Sequence, residues 1–128
     1  MKIKHDFVTN SSSTSYIGWG IEVYKNDMRN NEVLLKKLFD NYKSSRYFKN
    51  ITFEEFKNIG YSELMENFKS DIIEFSHTYD NDYFLAHPEK MKDDETLFEF
   101  KQKIISELKE YGIVVQTLTF IEEIVYDG

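Results

Sequence analysis

The stretch Ile72-Ile73-Glu74-Phe75-Ser76-His77-Thr78-Tyr79-Asp80-Asn81-Asp82-Tyr83-Phe84-Leu85-Ala86-His87 decides the fold. Two periodicities compete in it. Leu64, Phe68, Ile72 and Phe75 are spaced as one helical stripe, so a preceding helix could run on. Against this, Ile73, Phe75, His77 and Tyr79 alternate, and Tyr83, Leu85 and His87 alternate again beyond Asp80-Asn81-Asp82. Alternation on both sides of a turn cluster predicts a β-hairpin.

Upstream, Tyr16 to Tyr24 is rich in aromatic and β-branched residues and predicts a strand. Ile17, Trp19, Ile21 and Val23 share one of its faces. Gly18 and Gly20 share the other, where another group can approach the backbone closely. Asn30 or Asn31 caps a helix to about Tyr42, with Leu34, Leu35, Leu38, Phe39 and Tyr42 as its stripe. Thr52-Phe53-Glu54-Glu55 is a capping box opening a short helix that ends at Gly60. Ser62 can cap the next one.

Downstream, Asp93 or Asp94 is expected to cap a helix from about Glu95 to Tyr111, with Gly112 just past its end. Leu97, Phe100, Ile104, Leu108 and Tyr111 form its stripe, with Phe98 and Ile105 beside it. Ile113 to Phe120 reads as a strand, and Ile121 to Tyr126 as its continuation along an edge. The order is strand, helices, hairpin, helix, strand. It predicts a single α+β domain over residues 1–128, a mixed or antiparallel sheet of about four strands with helices on one face.

The chain has 128 residues, of which 41% are hydrophobic, enough for one packed core and too few for two. It contains no cysteine, which excludes disulfides, thiolate metal sites and cysteine nucleophiles. No apolar run is long enough to span a bilayer, and no signal-peptide pattern follows Met1. The expected location is therefore the cytoplasm. Charge is uneven. Residues 1–50 hold nine lysines and arginines against five acidic residues, a balance of +4. Residues 51–128 hold seven against eighteen, a balance of −11, and together they make the net −7. Such asymmetry points to a charged partner.

Asp6-Phe7-Val8-Thr9-Asn10-Ser11-Ser12-Ser13-Thr14-Ser15-Tyr16-Ile17 resembles the opening of many small proteins of Firmicutes and their phages. Thr14 stands where a serine is usual and Tyr16 where phenylalanine is usual. Met91 to Thr96, Phe100-Lys101 and the ending Glu122-Glu123 … Tyr126-Asp127-Gly128 resemble the tail of a subset of them. The resemblance implies a bacterial or phage origin and brings no activity, cofactor or catalytic residue.

Three sets of residues are candidates for function. The first is acidic: Asp80, Asp82, Asp93, Asp94, Glu95, Glu122 and Glu123, with Asp71, Glu74 and Glu89 extending it. Such a surface can compete with a nucleic-acid backbone for a basic protein groove. The second is the basic, aromatic segment 36–49, in which Lys43, Arg46, Lys49 and Tyr47 suit single-stranded nucleic acid. The third is the serine loop 11–15. Ser11, Ser12 and Ser13 could contact an anion or serve an enzyme, with Phe7 and Val8 anchoring the loop in the core. No glycine-rich phosphate loop accompanies them. His77, Asp80, Asp82 and His87 could in principle hold a metal, but their spacing matches no strong metal pattern.

The leading expectation is a non-enzymatic, acidic protein-binding module without metal or cofactor. In its concrete form it is a phage-type, anti-CRISPR-like inhibitor of a host nucleic-acid-handling or defence complex, with a basic surface of that complex as partner. The alternatives are a nucleic-acid-binding protein and a small-ligand binder or enzyme.

Overall fold

The computed structural model describes residues 2–5, 12–78 and 81–127; side chains are described for 15–78 and 81–124. The strands are β1 (Lys2–His5), β2 (Ser12–Val23), β3 (Glu74–His77), β4 (Asp82–Ala86) and β5 (Thr119–Asp127). The helices are α1 (Lys25–Arg29), α2 (Glu32–Lys43), α3 (Phe53–Lys57), α4 (Tyr61–Met65) and α5 (Leu97–Glu110), with a 3-10 turn at Pro88–Lys90. The fold is α+β, as its element pattern predicts, and every strand pair is antiparallel.

β2 is the centre of the sheet. At Trp19 and Gly20 it pairs with both β4 and β5, so those two lie on opposite edges of it. At Ser13 to Tyr16 it pairs with both β1 and β5. β1 and β4 therefore share one edge of β2 end to end, β5 runs along the other, and β3 lies outside β4. β1 is the strand that alternation did not reveal. Ser12 to Ser15, expected in a loop, belong to β2, because pairing with β1 and β5 supplies the ladder partners that four short polar residues cannot specify alone. Ser11, Phe7 and Val8 lie outside the described residues.

The expected hairpin forms. Phe75 faces Phe84 and His77 faces Asp82 across it. One face of the sheet carries Trp19, Ile21, Val23, Phe75, Phe84 and Ala86 and packs with the helices in one hydrophobic cluster. Two aromatic groups organise that cluster. Phe39 stacks at 5.1 Å on Phe56 and 5.5 Å on Phe53, joining α2 to α3. Phe68 sits 4.7 Å from Phe84 and 4.5 Å from Tyr111, joining the α4–β3 connection to sheet and α5. Leu34, Leu35 and Leu38 are fully buried, each contributing about 2 kcal/mol. Tyr83 and Leu85 are also buried, on the opposite face, outside this cluster.

Local signals place most helix ends. Asn31 caps α2 by accepting from the Leu34 amide at 3.0 Å. The Thr52 capping box forms with Glu55 as expected. α5 begins at Leu97, later than the acidic pair suggested: Thr96 is its cap, in a second capping box with Glu99. A threonine three residues before a glutamate satisfies two end amides at once, which Asp93 and Asp94 cannot do from their positions. Gly60, not Ser62, occupies the cap position of α4. α1 has no strong periodic signal and was not expected. Gly112 adopts φ +78° at the end of α5, the left-handed conformation expected there.

Residues 113–118 are not a strand. Ile113 and Leu118 are buried in the core, and their apolar character serves packing. The ladder starts at Thr119, where pairing with Gly20 begins. Leu97 and Phe98 also depart from the expected stripe. They occupy the first turn of α5, and Phe98 is 71% exposed.

Two tests follow from this geometry. A Cβ on Gly20 would stand 1.8 Å from the Phe84 carbonyl oxygen, whereas one on Gly60 would meet nothing closer than 3.8 Å. Gly20→Ala is expected to cost about 3 kcal/mol in urea unfolding, from overpacking against backbone. Gly60→Ala should stay within about 0.5 kcal/mol. Separately, their threonine caps hold the carboxyls of Glu55 and Glu99 below the ordinary 4.5, and Lys103 does so for Glu95. Groups depressed in the folded state add stability above their unfolded pKa and lose it as pH falls through the folded one. Thermal stability should therefore fall with acid below about pH 4.5. Glu99→Gln, which keeps the box, should flatten part of that slope in a melting series across pH.

Candidate functional site

The hairpin end brings chemistry-bearing residues together. Thr78 closes the connection between β3 and β4: its hydroxyl donates to the Asn81 carbonyl at 2.7 Å and accepts from the Asn81 amide at 3.0 Å. This sets His77 opposite Asp82, and the His77 Nδ1 is in direct hydrogen bond with the Asp82 carboxylate. Asp82 is only 9% exposed, whereas the His77 ring is largely open to solvent. Asp82 is therefore not an open docking carboxylate. The β2–β4 register turns it toward the helices with Val23, and burial there demands a partner.

Tyr61 lies against the same pair, with ring centroids 6.5 Å from His77 and 6.1 Å from Phe75. Lys25 and Arg29 stand 5.6 and 5.7 Å from its ring. Arg29 also donates to the Lys57 and Ile59 carbonyls at 3.1 and 3.0 Å, which ties α1 to the end of α3. The Tyr61 hydroxyl is buried without a well-formed hydrogen bond. Burial first, and the Asp82 charge second, push its ionisation well above the ordinary tyrosine range. Both effects favour the protonated hydroxyl.

A carboxylate-oriented imidazole is half of a nucleophilic device, which also needs a hydroxyl on the imidazole's other nitrogen. Among the described residues no hydroxyl hydrogen-bonds to His77. A cavity of about 420 Å³ between α4 and β3 is lined by Ser62, Phe68, Lys69, Phe75 and His77. Among the described residues no group of three or more histidines and carboxylates is placed to hold a metal. His87 is engaged elsewhere: its Nδ1 accepts from the Glu89 amide at 3.1 Å and starts the 3-10 turn.

The other acidic positions divide by environment. Glu95 is held by Lys103 at 2.9 Å and accepts from the Lys92 amide at 3.1 Å. Glu123 lies 3.4 Å from the Thr78 hydroxyl and accepts a hydrogen bond from buried Tyr83, whose ionisation is raised by burial first and by that bond second. Adjacent residues of a strand face opposite ways, so Glu122 faces the other side of β5. Asp93, Asp94 and Glu122 are exposed and have no hydrogen-bond or ion-pair partner among the described residues. Asp80 lies outside the described residues. The seven acidic candidates are therefore not one face. They occupy the hairpin end, the turn before α5 and the two sides of β5.

The basic segment stays at the surface. Tyr47 is 73% exposed, with the Arg46 guanidinium 5.0 Å over its ring and donating to its hydroxyl at 3.0 Å. Lys43 pairs with Asp40 at 3.4 Å and lies 4.9 Å over Phe39. Tyr42, Tyr47, Lys49, Ile51, Glu63 and Lys69 line a groove of about 500 Å³. The serine run lies in the central ladder. Ser15 is buried opposite Ile124, beside Glu123 in sequence, as a rung and not as a loop.

Residues missed by the sequence reading are Tyr61, Lys25 and Arg29, which share one surround only through the packing of α1 and α4 beside β3. Neither α1 nor α4 has a side-chain cap, so no capping signal marks them or what they pack upon. No helix among the described residues is long and apolar enough to cross a membrane. A scan against protein-family models found no match, and searches of curated proteins and of solved structures found none either.

The hairpin cluster makes a prediction of opposite signs. Asp82→Asn weakens a charge-assisted bond in a buried setting and is expected to cost about 2 kcal/mol. Tyr61→Phe removes an unpaired hydroxyl at constant shape and should be neutral or stabilising by up to about 1 kcal/mol. Chemical denaturation of both variants at neutral pH checks the pair.

Proposed function

We propose that this protein is a non-enzymatic, acidic protein-binding module that docks on a basic surface of a partner protein or nucleoprotein complex. The observation that carries the reading is the division among the carboxylates. Asp82, Glu95 and Glu123 are committed to partners within the chain, while Asp93, Asp94 and Glu122 are exposed without one. Unpaired surface carboxylates, in a half of the chain whose balance is −11, are available to a basic partner. With the N-terminal resemblance, the concrete form is a cytoplasmic, phage-type inhibitor of a host nucleic-acid-handling or defence complex, anti-CRISPR-like in its mode of action. A second reading, contact with single-stranded nucleic acid, is favoured by exposed Tyr47 under Arg46 beside the groove that Lys49 lines.

One experiment separates them. The tagged protein is used to capture partners from a nuclease-treated bacterial lysate at low and at high salt. The acidic-docking reading expects a stoichiometric basic protein, released by salt and lost with Asp93→Lys, Asp94→Lys and Glu122→Lys combined. Capture indifferent to these reversals sinks that reading. Retention of labelled oligonucleotide, lost with Arg46→Ala and Tyr47→Ala, favours the second.

A further inference from the structure

β5 runs nine residues along β2 in unbroken register, from Thr119 opposite Gly20 to Asp127 opposite Ser12. No strand among the described residues pairs with its outer edge. That edge presents unpaired amides and carbonyls over about 30 Å. Sheets normally protect such an edge with a short strand, a bulge, a proline, charged side chains or a covering helix or loop. The opposite outer strand, β3, is protected by its four-residue length. β5 is long, in continuous register, and contains neither proline nor lysine, so its protection is by charge alone. Its charged residues are Glu122, Glu123 and Asp127, all acidic.

The side chains add to this pattern. Phe120, Glu122 and Ile124 share one face of β5. Phe120 is 40% and Ile124 53% exposed. Lys101 lies over the Trp19 ring at 3.9 Å, and Trp19 in turn meets Phe120 at 5.1 Å, so Phe120 is held from its inner side only. The carboxylates also select the occupant. If two copies of β5 paired antiparallel about Glu122, about Glu123, or between them, a carboxylate would stand opposite a carboxylate. Like charges directly opposite are destabilising, so a second copy is disfavoured in these central registers. A basic strand meets the same positions favourably.

We infer that the open edge of β5 accepts an extended segment of another protein by strand addition, the segment carrying two adjacent basic residues flanked by apolar ones. In antiparallel pairing, one basic residue stands opposite exposed Glu122, the other opposite Glu123, which is half-buried and keeps its contact with Tyr83, and apolar residues stand opposite Phe120 and Ile124. The pattern is apolar, basic, basic, any residue, apolar. Backbone bonds supply affinity and the alternating side chains supply selectivity. This rests on the acidic-docking reading above and specifies how that docking is made.

The probe is a fluorescent, end-blocked peptide, Thr-Val-Lys-Arg-Thr-Val-Thr, titrated onto the full chain by anisotropy. Amide chemical shifts of β5 are followed by NMR. Three results are expected. Binding perturbs the amides of Thr119 to Ile124. N-methylation of the peptide amides that face β5 weakens binding by about tenfold or more. Glu122→Lys, at an exposed position, weakens it by about fivefold, and a Glu-Glu version of the peptide recovers part of the loss on that variant. Binding that ignores N-methylation but responds to Glu122→Lys overturns strand addition and leaves acidic docking standing. No peptide binding, while the chain still captures a basic protein through its carboxylates, overturns this inference alone. Loss of both overturns both. Concentration-dependent dimerisation that perturbs the β5 amides would overturn the choice of occupant.

Discussion

β4 can lie as close to β2 as it does because Gly18 and Gly20 carry no Cβ. Side chains there would stand 2.6 Å from the Ala86 carbonyl oxygen and 1.8 Å from that of Phe84. This closeness seats the hairpin against the centre of the sheet. The seated hairpin brings Phe84 to Phe68 and Phe75, and Phe68 to Tyr111. Tyr111 then locks the helices: its hydroxyl accepts from Asn41 at 2.7 Å and donates to the Lys69 carbonyl at 3.0 Å. A contact that omits two side chains thus reaches, in three steps, the packing of α2 against α5.

The same arrangement decides which charges are free. Pairing of β3 with β4 sends Asp82 inward to His77 and leaves the imidazole at the surface. Pairing of β2 with β5 sends Glu122 and Glu123 to opposite sides, one unpaired and the other beside Thr78 and Tyr83. Carboxylates that look equivalent in composition therefore differ in environment. Some satisfy buried donors, where loss is costly. Others remain as solvated charge, which the docking reading proposed above assigns to steering and selecting a partner.

Several elements could be read directly. The hairpin was legible because alternation appears on both sides of Asp80-Asn81-Asp82, and period two is a local property of the chain. α2 and the Thr52 box were legible from their caps, and Gly112 from its place after the helical stripe. β1 and the start of β2 were not, since their residues form a ladder only through pairing with distant segments. Segment 113–118 misled for a related reason: a run of apolar, β-branched residues has the same composition whether it enters a core as an irregular connection or as a strand.

What the sequence by itself determined is the α+β class, the hairpin, the principal helices and the charge asymmetry, all properties of local pattern or of counting. Only the tertiary structure decided that Asp82 is buried, that Tyr61 joins it and that β2 is the strand on which the expected edge segment pairs. Burial and edge position depend on which segments become neighbours, and no local period encodes that. The candidate docking edge belongs to this second kind. Glu122 and Glu123 were visible as a pair of charges, but their opposite orientations arise from the register of β5 on β2.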